Sequence, residues 1–219
     1  FASDMRGSKA EALDAFAARS GRAFTRFDYS GHGASGGTFA EGTISRWLEE
    51  ARAVFAATEG PQVVVGSSMG GWLALLLTES LKETGRVAGL VLIAPAVDMT
   101  RTLMLDEMTR AQRKQLADAG AVTLPSDYSA AGYTITRALI EDGERHLFGE
   151  RLIETGCPVH ILQGVEDSDV PWQHATALVS RLASDDVVLT LVKDGDHRLS
   201  RPEDLERMIA AVEGVTAME

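Results

Sequence analysis

Val63-Val64-Val65-Gly66-Ser67-Ser68-Met69-Gly70-Gly71-Trp72 decides how this chain is read. A β-branched run enters Gly-x-Ser-x-Gly, and the apolar segment Leu73 to Leu77 follows at once. β-branched residues favour a strand, and the apolar segment suits a buried helix. A serine on the sharp turn between them would be exposed at the strand end, facing the positive end of the helix dipole. Gly66 and Gly70 are expected to remove side chains that would collide there. With 21 glycines in 219 residues the pentapeptide alone is easily matched by chance, so its weight comes from its surroundings. Ser68 is the candidate nucleophile.

A serine hydroxyl needs a base, and the base needs an acid to orient it. Downstream, Ile161-Leu162-Gln163-Gly164-Val165-Glu166-Asp167-Ser168-Asp169-Val170-Pro171 ends a strand and carries three carboxylates. Asp167 is the candidate acid, three residues after Gly164 and three before Val170, on the loop just past the strand. Glu166 and Asp169 are the alternatives, better suited to solvent. Asp98 is a rival from the end of the Val87 to Ala94 strand. The last strand runs into Asp194-Gly195-Asp196-His197-Arg198, which makes His197 the candidate base. The order Ser68, Asp167, His197 is the one expected of a nucleophile elbow in an α/β sheet. His32 precedes the nucleophile in a glycine-rich loop and reads as structural. His160 sits mid-strand and is expected to be buried, while His146 and His174 lie in helical context. No group of histidines has metal-site spacing. For the oxyanion, the backbone N–H of Met69 is the first expected donor. The second is expected from the loop Phe1 to Gly7, at Phe1 or Ala2.

Outward from the elbow, helices and strands alternate, which implies an α/β protein with a mostly parallel sheet and right-handed crossovers. Ser8 is expected to cap a first helix that ends at Gly21. Arg22 to Asp28 reads as a strand, and Ile44 to Phe55 as an amphipathic helix. Val87 to Ala94, Pro158 to Gln163 and Val187 to Lys193 read as further strands. Helices are expected over about Trp172 to Leu182 and Glu203 to Val212. Residues 97 to 153 show helical patches, Met99 to Leu105 and Thr109 to Ala119, and no convincing strand. This insertion is expected to form a helical cap over the site within a single domain; Met99, Met104 and Met108 are candidates to line an acyl or aromatic pocket, with plain packing in the cap core the more ordinary role for any one of them. Cys157 reads as a structural residue.

The formal charge of −11 argues against a nucleic-acid or anionic-membrane partner. No apolar run approaches the roughly 20 residues of a bilayer span. A single cysteine rules out an internal disulfide framework and fits a reducing compartment. Phe1 opens in what reads as mid-loop, so strands are expected to precede it.

On these residues the chain resembles the α/β-hydrolases. More narrowly, it is similar to the mitochondrial palmitoyl-protein thioesterases, also described as mycophenolic acid acyl-glucuronide esterases, and their bacterial relatives. The stretches that carry the resemblance are Arg26-Phe27-Asp28-Tyr29-Ser30-Gly31, Gly60-Pro61-Gln62, Val65 to Leu73, Pro125-Ser126-Asp127-Tyr128-Ser129, Val170-Pro171-Trp172 and Asp196-His197-Arg198. The resemblance implies a triad of Ser68, Asp167 and His197, action on small-molecule acyl thioesters or carboxylic esters, and no cofactor. The family's opening strands and the glycine before its oxyanion loop are not in this sequence. No mitochondrial transit sequence is present, and the alanine-rich acidic composition suits a bacterial cytosolic enzyme, or a matrix enzyme in a eukaryote.

Overall fold

The computed structural model describes residues 1–124, 132–183 and 186–216. Its main sheet has four parallel strands: β1 (Gln62–Ser67), β2 (Val87–Ile93), β5 (Val159–Gly164) and β6 (Val187–Val192), in the order β1-β2-β5-β6. The helices are α1 (Ser8–Ser20), α2 (Ile44–Ala56), α3 (Met69–Leu81), α4 (Arg110–Ala119), α5 (Arg137–Gly143), α6 (Trp172–Arg181) and α7 (Pro202–Thr216).

Strand β2 shows how the sheet is buried. Successive side chains of a strand point to opposite faces. Leu90 and Leu92 join one apolar cluster with Trp47 of α2, Trp72 and Leu73 of α3, Ile161 of β5 and Leu178 of α6. Val91 and Ile93 join another with Leu13 of α1 and Met208, Val212 and Val215 of α7. All four β2 residues are at most 1% exposed, as expected of a continuous apolar run covered on both faces. Each contributes about 1.5–3 kcal/mol by leaving water. The strand ends that follow Ser67, Ile93, Gly164 and Val192 all lie on one edge of the sheet. That edge brings together loops distant in sequence.

Several expectations are corrected. Among the described residues, Arg22 to Asp28 joins no strand ladder. A strand exists through its pairing, and none of the described strands pairs with this segment, whose residues Ala23 to Asp28 line, with Val63 to Ser67 of β1, a cavity of about 380 Å³. Ser8 is the first residue of α1 and not its cap; Gly7 holds that place, without a side-chain hydrogen bond. Gly21 closes α1 as expected, at φ 68°. The segment between β2 and β5 does contain strands. β3 (Ala121–Leu124) pairs antiparallel with β4 (Tyr133–Thr136) in a separate two-stranded sheet. Each strand is only four residues long, too short for alternation to stand out. The expected helical patches there are a π-helical turn (Thr100–Leu105) and α4. Thr109 and Gln112 close a reciprocal capping box on α4. Met108, Leu116, Val122, Ile135 and Ile140 form a small core of their own. Pro125-Ser126-Asp127-Tyr128-Ser129, part of the resemblance, lies outside the described residues.

Candidate active site

Ser68 separates β1 from α3 and has φ 55° and ψ −122°, a backbone conformation that residues with a side chain rarely adopt. Such strain costs about 1–3 kcal/mol and persists only where the surroundings enforce it. Here they do. The Ser68 N–H donates to the Ile93 carbonyl (2.9 Å), while its own carbonyl accepts from Gly71 (2.9 Å) and Ala96 (3.1 Å). Gly66 lets α3 approach β1, because a Cβ there would lie 2.3 Å from the Gly70 carbonyl oxygen. The expectation for Gly70 is corrected: a Cβ would meet nothing within 4 Å. The second close approach belongs to Gly71, whose Cβ would sit 2.9 Å from Pro95.

The loops after β5 and β6 converge on this serine. His197 Nε2 is 3.1 Å from Ser68 Oγ, and His197 Nδ1 is 2.8 Å from Asp167 Oδ2. The Asp167 side chain is fully buried, and its acceptor capacity is full. Oδ1 accepts from the N–H groups of Asp169 (2.9 Å) and Val170 (2.8 Å), and Oδ2 from Gln163 Nε2 (3.1 Å) and His197. Asp169 lies near this pair, yet Asp167 has no lone pair left for a cation between them. Gln163, which the sequence reading overlooked, also donates to the carbonyls of Gly164 and Val170, so it ties the strand end to the acid loop. Its only signal in sequence is a polar residue within an apolar strand. The two loops lock together where Glu166 N–H donates to Gly195 O (2.9 Å), and a Cβ on Gly164 would lie 2.3 Å from that same oxygen.

The rivals are engaged elsewhere. Asp98 accepts from the N–H groups of Phe148 (2.8 Å) and Gly149 (2.9 Å) and lies 3.7 Å from Arg181, far from any role behind His197. His174 bonds the Val97 carbonyl at 2.8 Å. His160 is half-buried, not buried as expected, and reaches Thr190 across the β5–β6 pair at 2.9 Å. A second serine–histidine–aspartate cluster, Ser45, His146 and Asp142, joins α2 to α5. There the acid holds the serine by both its N–H (2.7 Å) and its hydroxyl (2.8 Å), and it does not sit behind the histidine. That arrangement braces two helices and cannot prepare a base.

Met69 opens α3, so its N–H has no acceptor within the helix. Phe1 and Met69 line the same cavity. Of the two further donors considered, Ala2 is taken, since its N–H donates to His32 Nε2 at 3.2 Å. The Phe1 nitrogen remains. Met99 is 3% exposed in the main core, a packing residue, while Met104 is half-buried where the main and smaller cores meet. No helix among the described residues is long and apolar enough to cross a membrane.

Comparison with known proteins agrees with this architecture. The family described as serine aminopeptidase, S33, matches residues 6–126. The mouse protein named palmitoyl-protein thioesterase ABHD10, mitochondrial, is 37% identical over 97% of this chain and 71% of its own length. The crystal structure of a putative hydrolase from Agrobacterium vitis S4 is 52% identical, with a TM-score of 0.95 over 98% of this chain and 84% of that one. The structure of mouse alpha/beta hydrolase domain-containing protein 10 is 36% identical, with a TM-score of 0.90 over 99% and 86% of the two chains. With a family description covering more than half of the chain and curated relatives aligned along nearly all of it, the protein is a hydrolase of the α/β-hydrolase fold, a member of the serine aminopeptidase S33 family alongside the ABHD10 proteins.

Proposed function

We propose that this protein hydrolyses acyl thioesters or carboxylic esters, acyl-glucuronide-like esters among them, through an acyl-enzyme on Ser68. The observation that carries the reading is the chain of contacts from Ser68 Oγ through His197 to the buried Asp167. Ser68 Oγ attacks the acyl carbonyl carbon while its proton passes to His197 Nε2. The N–H groups of Met69 and Phe1 hold the developing oxyanion. Collapse expels the thiol or alcohol with the proton from His197, leaving an acyl ester on Ser68. Water then attacks that ester, His197 again taking and returning the proton. Asp167 keeps Nδ1 protonated, so that Nε2 is free to act as base, and it balances the charge His197 gains. No cofactor takes part.

The segment 97–153 is the cap over this site, with Met104 the methionine better placed to meet an acyl chain. Action on thioesters draws support from the name palmitoyl-protein thioesterase carried by the ABHD10 relatives. Peptide cleavage is the second reading, favoured by the description of the matching family as an aminopeptidase. A reducing compartment, a bacterial cytosol or the mitochondrial matrix in a eukaryote, goes with the single buried Cys157.

The test is intact mass after exposure to a fluorophosphonate, with Ser68→Ala beside wild type. One adduct on wild type and none on the variant is expected; an unmodified wild type would overturn the reading. A panel of acyl thioesters, p-nitrophenyl esters and aminoacyl amides then separates the two substrate classes.

A further inference from the structure

The opening segment is gripped at three points by Arg26, Asp28 and His32. Arg26 donates to the Met5 carbonyl (2.9 Å), Asp28 Oδ1 accepts from the Met5 N–H (2.7 Å), and His32 Nε2 accepts from the Ala2 N–H (3.2 Å). The last contact is the unusual one. Ala2 has φ 53°, in the left-handed region that a residue with a side chain occupies only when held there. His32 is well placed to hold it. Its ring is 7% exposed and packs edge-on against Phe39 and Trp47, with centroids 5.3 Å from each. Nδ1 lies 3.2 Å from the Ser30 carbonyl, which also accepts from Trp47 Nε1 at 3.1 Å. A carbonyl can only accept, so Nδ1 carries the proton. Nε2 is then a bare lone pair, and the Ala2 N–H is its donor. Phe1, the residue this contact anchors, stacks against the same Phe39 and Trp47.

We propose that His32 is a positioning residue whose neutral imidazole, through Nε2, fixes the Phe1–Ala2 backbone so that the Phe1 nitrogen can serve as the second oxyanion donor. This rests on the reading of Met69 and Phe1 as the oxyanion pair. It gives the glycine-rich loop after Asp28 a part in the reaction, where the sequence suggested only structure. Burial keeps the imidazole below its ordinary value of 6.5, against the opposing pull of Ser30, Asp28 and Glu50. The ring is therefore neutral at working pH, as the contact requires.

Two measurements test it. In the first, His32→Leu and His32→Gln are assayed with a p-nitrophenyl ester beside wild type. Leu removes the acceptor, while the Gln amide oxygen reaches the place of Nε2. An oxyanion contact acts in the transition state, so kcat is expected to fall about 10- to 100-fold in the Leu variant with KM little changed. Gln is expected to recover most of that loss. A Leu variant within about twofold of wild-type kcat, or one whose loss is all in KM, would overturn the proposal. The second measurement needs no variant, so it stands even if His32→Leu does not fold. Nitrogen-15 NMR of the histidine rings at about pH 7.5 is expected to find His32 protonated on Nδ1 alone. A proton on Nε2 would sink the proposal. A wild-type protein that takes no fluorophosphonate on Ser68 would instead remove the catalytic reading beneath it, whatever the tautomer.

Discussion

Single residues carry the site, and two glycines four positions apart show how unequal they are. Gly66→Ala would drive a Cβ to 2.3 Å from the Gly70 carbonyl and 2.7 Å from its carbon, both backbone atoms that cannot rotate away. A loss of about 1–3 kcal/mol in urea unfolding is expected, or more if α3 must shift. Gly70→Ala meets open space within a helix, so stability should hold or rise by up to about 1 kcal/mol. Equal losses in the two variants would contradict this packing. Gln163→Leu removes a buried donor to Asp167 and leaves the fold's apolar strand intact. Its kcat on an ester is expected to drop about tenfold, with most of the effect on kcat and little on KM. Asp167→Asn should cost far more, on the order of 10⁴ in kcat, because the wrong tautomer of His197 would be held.

At the level of elements, β2 bears the most. Leu92 is fully buried between α3 and β5, and Leu92→Ala should cost about 2–5 kcal/mol, read from the shift in the urea midpoint. An effect under 1 kcal/mol would mean the sheet is less tightly covered than the structure indicates. The same strand was the easiest to find in sequence, since its seven residues are apolar or glycine without interruption. The β3–β4 hairpin was missed for the opposite reason, its four-residue strands having no sheet of their own class beside them. Arg22 to Asp28 failed in yet another way. Its composition favours a strand, but a strand needs a hydrogen-bonded neighbour, and none of the described strands supplies one.

The whole molecule responds to acid through its histidines. His32, His146, His160 and His174 are all held below their ordinary value of 6.5, in each case first by burial. A depressed histidine takes up its proton in the unfolded chain before it does in the folded one. Stability is therefore full above about 6.5 and falls as pH drops through the window beneath it. The lowered carboxylates, Asp194 and Asp204 beside Arg201 and Glu154 beside Lys82, pull the same way only at still lower pH, below their ordinary 3.8 and 4.5. Urea midpoints at about pH 7.5 and 5.5 should thus already differ, with the lower value in acid. Equal midpoints would mean these histidines are as well hydrated folded as unfolded.

Sequence alone determined what is local and periodic. The elbow around Ser68, the apolar run of β2, and the order of serine, acid and histidine all follow from residue types and short spacings, which the chain carries wherever it goes. Only the tertiary structure decided what depends on distance through space. It put Asp167, and not Glu166, Asp169 or Asp98, behind His197, its carboxylate buried with every lone pair engaged. It moved the close packing from Gly70 to Gly71, turned Ser45, Asp142 and His146 into a brace, and put His32 against Ala2. Contacts between residues thirty to a hundred positions apart are set by how helices cover the sheet, and no short spacing encodes that.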